Sequence, residues 1–248
     1  MGAPAHIETL STIKQLDSMR SIIGCLFLCM YSCSGVQTSS ESSKKMDNLE
    51  GATPQQIDTT QYQSASIRDS RDGETYKVVS IGDQTWMAEN LRYTAPGARL
   101  NPDNPSITYG RLYDGLTVQT SCPDGWHLPS DEEWSKLEMV LGLPASDTGK
   151  TEWRGEHAAK MKSVTGWSKN WSENLNGTNS SGFNVFPAGY YLPDDGFGGL
   201  GMSSGFWTSA ENGVAWMRWF AGPKAGVNRY YDDKLDSSGG AACRCVQD

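Results

Sequence analysis

One stretch decides the fold, and it reads Cys122-Pro123-Asp124-Gly125-Trp126-His127-Leu128-Pro129-Ser130-Asp131-Glu132-Glu133-Trp134. Ser130 is placed to cap a helix, and Glu133 three residues later completes a capping box, in which two backbone donors are satisfied reciprocally. The other two acidic residues of the first turn suit the positive end of the helix dipole. Apolar residues follow at helical spacing, at Trp134, Leu137 and Leu141, before Gly142 and Pro144 end the helix. The stretch therefore predicts a short helix with one apolar face, preceded by a cysteine-containing loop.

Short strands are predicted on both sides of this helix. Turn residues such as Gly82-Asp83 separate runs of strand-forming residues, which is typical of hairpins. Strands are expected over 75–81, 84–88, 183–191, 206–209, 214–220, 227–231 and 242–246, a second short helix over 156–163, and loops over 95–106, 174–182 and 196–205. Because long apolar helical repeats are absent, this mixture predicts a loop-rich α+β domain.

Composition indicates one sizeable domain and argues against nucleic acid as a partner. All nine Trp of the 248 residues lie between Trp86 and Trp219. Residues 34–68, by contrast, are rich in Ser, Thr and Gln, and such a stretch buries too little apolar surface to offset its ordering entropy. We therefore expect a flexible linker there, followed by the domain over 69–248. The net charge is −8, and no cluster of Lys and Arg provides the basic stripe that tracks phosphates.

The amino terminus, residues 1–33, has the pattern of an export signal. Met19-Arg20 is followed by about ten mostly apolar residues, too few to span a bilayer but enough for a signal peptide, which makes Met19 a better initiator than Met1. The segment Met30-Tyr31-Ser32-Cys33 resembles a bacterial lipobox, in which Cys33 becomes the lipid-bearing first residue. We therefore expect an outer-membrane lipoprotein of the cell envelope, attached to the membrane through its lipid alone. A soluble secreted product is the alternative.

The six cysteines raise the question of disulfides and metals. Cys25 and Cys29 are lost with the signal and Cys33 takes the lipid, so the domain keeps the three at Cys122, Cys243 and Cys245. Export places them in an oxidising compartment, and their odd number predicts one disulfide and one buried thiol. The last two would share one face of a strand. A metal or redox site there is the weaker alternative, because a zinc site needs more ligands.

Motifs spread over the whole domain resemble the Fibrobacter succinogenes major paralogous domain. They are Arg71-Asp72-Gly73, Ile81-Gly82, Gln84, Trp86-Met87-Ala88-Glu89-Asn90-Leu91, Tyr109-Gly110-Arg111-Leu112-Tyr113, Cys122-Pro123, Gly125-Trp126-His127-Leu128-Pro129, Trp134, Gly177-Thr178-Asn179, Gly182-Phe183, Pro187-Ala188-Gly189, Phe206-Trp207 and Arg244-Cys245-Val246-Gln247-Asp248. The resemblance implies a C-type-lectin-like fold, with two short helices packed on a small twisted antiparallel sheet with long loops. It also implies an exported bacterial protein, often a lipoprotein. The family pattern favours Cys122 and Cys245 as the disulfide pair, and Cys243 departs from that pattern.

Ligand binding is expected mainly at aromatic and acidic residues late in the chain, namely Tyr190, Tyr191, Asp194, Asp195, Trp216, Trp219, Tyr230 and Tyr231. Aromatic rings can stack on sugars or on a protein partner, although aromatic residues fill cores first. The Asp pairs at 194–195 and 232–233, with Asp236, could hold Ca²⁺ through oxygen ligands, but solvated carboxylates are the simpler interpretation. The tripeptides with which calcium-dependent lectins of this fold bind sugar are absent from the sequence. No cofactor is therefore expected.

No catalytic residues are expected either. His127, Ser130 and Asp131 lie close together, but they are neighbours at a helix start, whereas the members of a hydrolytic triad meet from separate segments. The expected function is that of a non-enzymatic, lipid-anchored envelope protein that binds a polysaccharide or an envelope protein. One alternative is an enzyme like the formylglycine-generating oxidases, whose fold is similar and which use a late cysteine pair, here Cys243 and Cys245. A purely structural envelope component is the third interpretation.

Overall fold

The computed structural model describes residues 65–168, 174–211, 213–232 and 239–248. They all belong to the second of two compact units of the chain, Gln56–Asp248. The predictions for the signal segment, for Cys33 and for most of the linker therefore lie outside the described residues. Within the described ranges, no helix has the length and apolar character needed to cross a membrane.

The described residues form thirteen strands and two short helices, which makes the domain an α+β structure dominated by strands. In chain order the elements are β1 (Ser66–Arg68), β2 (Thr75–Ile81), β3 (Gln84–Met87), β4 (Leu112–Tyr113), β5 (Trp126–His127), α1 (Asp131–Val140), β6 (Glu152–Arg154), α2 (Ala158–Met161), β7 (Ala188–Leu192), β8 (Gly196–Leu200), β9 (Ser203–Glu211), β10 (Val214–Ala221), β11 (Val227–Asp232), β12 (Ala241–Ala242) and β13 (Val246–Gln247).

The strands form two sheets, where the sequence predicted one small antiparallel sheet. The first has the order β1-β2-β3-β13-β5 and is antiparallel throughout. The second has the order β4-β12-β9-β10-β11-β6, with β7 joined to β9 and β8 joined to β7. Two of its contacts, β12 with β9 and β7 with β9, are parallel. The last strand, β13, therefore lies beside the first hairpin, and the two ends of the domain meet in one sheet.

Helix α1 begins and ends as the sequence predicted. Ser130 Oγ accepts a hydrogen bond from the Glu133 amide at 3.1 Å, and the Glu133 carboxylate accepts one from the Ser130 amide at 2.8 Å. Both halves of the capping box are thus present. Gly142 follows the helix with φ of 112°, in the left-handed region that glycine adopts without strain. Helix α2 is a single turn, shorter than expected.

The core is built around one aromatic cluster that joins α1 to both sheets. The Trp134 ring lies 5.1 Å from Trp86 of β3, 5.5 Å from Phe183 and 5.7 Å from Phe206 of β9, measured between ring centroids. All four side chains are buried. Because each aromatic ring buries a large apolar area, this cluster fixes α1 over the junction of the two sheets.

Three predicted segments differ in the structure. The strand expected over 242–246 is divided into β12 and β13, which belong to different sheets, so Cys243 and Cys245 lie in the connection between them and not on one strand. The strand expected over 183–191 begins only at Ala188, because Pro187 has no amide proton to pair and Phe183 and Val185 enter the core instead. The glycine-rich segment expected to be a loop forms β8, which pairs with β7. A Cβ atom at Gly189 would lie 2.2 Å from the Gly198 carbonyl oxygen, so glycine lets these two strands approach each other.

Candidate functional site

The aromatic pair Trp216–Tyr231 contains the most exposed ring among the aromatic residues predicted to bind ligand. The two residues face each other directly on β10 and β11. Their ring centroids are 5.4 Å apart with an interplanar angle of 72°. Tyr231 is 56% exposed, and Trp216 is half-buried. The pair therefore presents ring surface to solvent at the side of the second sheet.

The Arg229 guanidinium packs against one face of the Trp216 ring. Its Cζ carbon lies 3.2 Å from the centroid of that ring. The same guanidinium makes two hydrogen bonds to the Asp131 carboxylate at 2.9 and 2.7 Å, a bidentate pair of defined geometry. Burial raises the pKa of Asp131, but Arg229 and Arg218 outweigh it and hold that pKa below its usual value. The start of α1 thus holds the arginine that orients the exposed pair.

A buried ion cluster continues this contact into the core. Arg218 donates from Nη1 to Asp131 at 2.8 Å and from Nε to Glu138 at 3.0 Å. Arg154 of β6 donates to the other oxygen of Glu138. Glu138, Arg218 and Arg154 are all buried. From the sequence, Asp131 was expected to be a charge suited to the helix dipole, whereas in the structure it pairs with both the buried Arg218 and Arg229 beneath the exposed ring pair.

The other predicted binding residues fall into three further groups. Trp219 is buried between Tyr190, at 5.6 Å, and Tyr230, at 6.5 Å between centroids, on the face of the sheet opposite Trp216. Tyr191 packs on Phe197 at 5.2 Å and under Arg99 at 4.4 Å. Asp194 and Asp195 are exposed in the turn between β7 and β8. The eight residues predicted as candidates for ligand binding are therefore distributed over distinct surfaces and the core.

The carboxylates of the calcium alternative lie partly outside the described residues. Residues 233–238, which include two of the carboxylates considered for Ca²⁺, lie outside the described residues. Among the residues that the structure describes, the side chains that converge as potential metal ligands are the three sulfurs of Cys122, Cys243 and Cys245. Asp194 and Asp195 are not part of such a group.

The polar residues before α1 do not assemble a hydrolytic triad. His127 Nδ1 lies 2.7 Å from Asp248 Oδ1, and its Nε2 lies 2.9 Å from Glu133 Oε1. Ser130 is bonded to Glu133, while Asp131 faces the arginines. Burial opposes protonation of His127, but the two carboxylates outweigh it and raise the histidine pKa. His127 therefore links the carboxyl-terminal residue to the helix cap.

The disulfide joins Cys122 to Cys245, as the family pattern favoured. Cys243 is a free, fully buried thiol. Its sulfur lies 3.9 Å from Cys122 Sγ and 3.9 Å from Cys245 Sγ. Burial raises the pKa of the Cys243 thiol to about 12, against the opposing effect of Arg244 and Arg71. The oxidase interpretation required Cys243 and Cys245 as a pair of thiols, and the second of these is in the disulfide.

A small cleft elsewhere was not predicted from the sequence. It has a volume of about 230 Å³ and is lined by residues that include Asp72, Glu74, Arg92, Leu100, Ile107 and Arg111. Arg92 donates to Glu74 at 2.8 Å, and Arg111 Nε donates to the Arg92 carbonyl at 3.0 Å. These charged groups are engaged with one another, so the cleft is a weaker candidate than the aromatic pair.

Sequence comparison places the domain in a family. The family model described as the Fibrobacter succinogenes major domain matches residues 79–247, which is more than half of the chain and includes both partners of the disulfide. No curated protein and no solved structure matches. On this match, the chain belongs to the Fibrobacter succinogenes major domain family.

Proposed function

We propose that this protein is an exported, lipid-anchored envelope protein whose domain binds a polysaccharide through the Trp216–Tyr231 pair. The observation that carries the proposal is an exposed Tyr231 ring set against a Trp216 ring that Arg229 holds at 3.2 Å. A fixed aromatic surface loses little conformational entropy when a ligand stacks on it. A protein ligand is the other outcome of the binding test below.

We also propose that the domain has a C-type-lectin-like fold. A C-type-lectin-like arrangement is supported by the family match, by two short helices beside mostly antiparallel sheets, and by the position of β13 next to the first hairpin. The exposed pair lies on β10 and β11 of the second sheet, away from the first sheet, which contains the first and last described strands.

Replacement of Tyr231 by Ala is expected to weaken glycan binding by about tenfold or more, because the most exposed stacking surface is removed. The measurement is binding of the wild-type and variant proteins to an array of envelope polysaccharides, followed by titration with the best ligand. Phe197→Ala is the matched control, since it removes a partly exposed ring on the β7–β8 hairpin. Equal losses in both variants, or binding of an envelope protein but no glycan, would contradict the polysaccharide assignment.

The lipid anchor is tested separately. Cells that express the full chain are given an alkyne-bearing fatty acid, and the purified protein is examined for the label. We expect labelling of the wild type and of Cys29→Ser, and its loss in Cys33→Ser, because the lipobox pattern places the lipid on Cys33. Label retained in Cys33→Ser, or an unlabelled wild type, would remove the anchor from the proposal.

A further inference from the structure

Three sulfurs converge inside the domain from two distant parts of the chain. Cys122 precedes β5, while Cys243 and Cys245 lie between β12 and β13. All three Sγ atoms lie within 4.8 Å of one another. Cys243 and Cys245 are fully buried, and Cys122 is partly accessible. A reagent from solvent therefore reaches the group at Cys122.

The positions of the three residues do not depend on the disulfide alone. The carbonyl groups of Cys243 and Cys245 accept hydrogen bonds from the Leu91 and Met87 amides, both at 3.0 Å. Arg244, between the two cysteines, donates to the Met87 carbonyl at 3.1 Å and to Asn90 at 2.6 Å.

The Cys122 side is anchored in the same way. Arg71 donates to the Ser121 carbonyl at 2.8 Å, and Ser121 Oγ donates to the Thr117 carbonyl at 2.7 Å. These contacts are independent of the sulfur atoms. We therefore expect them to keep the three cysteines together when the disulfide is reduced.

The placement of Cys243 is unsuited to disulfide exchange. A thiolate attacks a disulfide sulfur along the line of the S–S bond. Cys243 Sγ is equally distant from both sulfurs, so it lies beside the middle of that bond and not on its extension. A free thiol thus persists next to a disulfide, at the same distance from both of its sulfurs.

We propose that the reduced domain binds a soft cation, Cu(I), in a three-coordinate site formed by the sulfurs of Cys122, Cys243 and Cys245, and that the disulfide closes this site. Thiolates select Cu(I) and zinc among the common metals. Zinc in structural sites takes four ligands, but the group consists of three sulfurs alone in the part of the chain that the structure describes. In a trigonal planar site with metal–sulfur bonds of about 2.3 Å, the sulfurs lie about 4 Å apart. Cys243 Sγ already lies at nearly this distance, 3.9 Å, from each of the other two sulfurs.

The chemistry of opening the site balances with a dithiol as reductant. The dithiol supplies two electrons and two protons to the Cys122–Cys245 bond and itself becomes a cyclic disulfide, which leaves three thiols in the domain. Cu(I) then displaces thiol protons into solvent as the metal–sulfur bonds form. The resulting negative charge lies beside Arg244 and Arg71, whose positive charges already act on Cys243. The site shares no residue with the Trp216–Tyr231 pair, so it stands independently of glycan binding.

The test uses the full chain with Cys25, Cys29 and Cys33 replaced by Ser, since these thiols would also take up copper. The protein is reduced with a dithiol without oxygen, freed of the reductant, and titrated with Cu(I) against a coloured chelator. We expect one Cu(I) per reduced chain, none in the oxidised chain, and affinity lower by about tenfold or more in Cys243→Ala. Met217→Leu, which removes a sulfur of the same core cluster, is expected to bind as the parent does.

Each other outcome overturns the proposal. Equal affinity of the parent and Cys243→Ala would show that the third sulfur is not a ligand. Uptake by the oxidised chain would show that the disulfide does not close the site. Loss of the near-ultraviolet circular dichroism of the reduced protein would show that the backbone contacts do not hold the three cysteines together, and absence of uptake by a folded reduced protein would exclude the site.

Discussion

The variant Glu138→Gln is expected to lose about 3–5 kcal/mol of unfolding free energy, because it leaves two buried guanidiniums without their shared carboxylate. Glu138 is fully buried in α1. Its Oε1 accepts from Arg218 at 3.0 Å and its Oε2 accepts from Arg154, so each oxygen has an arginine partner. The Gln amide would keep one acceptor oxygen for one arginine but would turn an NH2 group toward the other, which has only donors to offer.

The charges of the cluster explain why the effect is large. Asp131 and Glu138 face Arg154, Arg218 and Arg229, so the cluster already has one more positive than negative charge. Burial lowers the pKa of Arg154 to about 10 even with Glu138 present. Removal of the carboxylate therefore leaves like charges together in a region that water does not reach. The measurement is urea unfolding at neutral pH, followed by Trp fluorescence.

Two control variants separate this mechanism from general damage to the helix. Glu132→Gln lies on the same helix but removes an exposed carboxylate paired with Lys136, and we expect little measurable change. A variant with Glu138→Leu, Arg154→Leu and Arg218→Met together removes the buried carboxylate and both of its arginine partners, and leaves the Asp131–Arg229 pair in place. Because well-packed apolar groups often replace a buried ion cluster without loss, this variant should be more stable than the single substitution. If Glu138→Gln lowered the unfolding free energy as little as Glu132→Gln does, the buried carboxylate would not have the proposed role.

Part of this cluster could have been inferred from the sequence. Glu138 lies four residues after Trp134 and three before Leu141, so it falls within the apolar stripe of α1, where a charged residue needs a partner. The identity of the partners could not be inferred. Arg218 is 80 residues away in the chain, and its position opposite α1 depends on how the second sheet is assembled.

The elements that could be predicted are those with local signals. Helix α1 has its capping box and the first hairpin has Gly82 in its turn, and both form as expected. Strand β8 was missed because its three glycines have no side-chain pattern, and two of them, Gly198 and Gly199, are explained by the close approach of Tyr190 on β7. Local sequence does not contain that information.

The same limit applies to the candidate site. Trp216 and Tyr231 were both predicted, but together with Trp219 and Tyr230, which have the same residue types one to three positions away. Alternation along a strand places Tyr230 and Tyr231 on opposite faces. Which face is exposed depends on what covers each one. Trp219 on the Tyr230 face is buried, while Tyr231 projects to solvent beside the start of α1.

Replacement of Cys122 by Ala is expected to lower the unfolding free energy by about 4–5 kcal/mol, because the disulfide closes a very long loop in the unfolded chain. Cys122 and Cys245 are 123 residues apart. The native contacts of both segments remain, so the loss falls mainly on the unfolded state, which gains freedom. The measurement is chemical unfolding of the wild type and the variant, each with and without a dithiol.

Cys243→Ala provides the matched control, since it removes a buried sulfur at a distance of 3.9 Å without opening the loop. We expect this variant to lose about 1 kcal/mol of unfolding free energy, which is usual for a small change in the core and roughly a quarter of the loss expected for Cys122→Ala. The dithiol should destabilise the wild type and Cys243→Ala but leave Cys122→Ala unchanged. The reverse pattern, with Cys243→Ala as costly as Cys122→Ala and insensitive to the dithiol, would mean that Cys122 pairs with Cys243. The free thiol would then be Cys245, and the disulfide would join Cys122 to a residue two positions earlier in the chain.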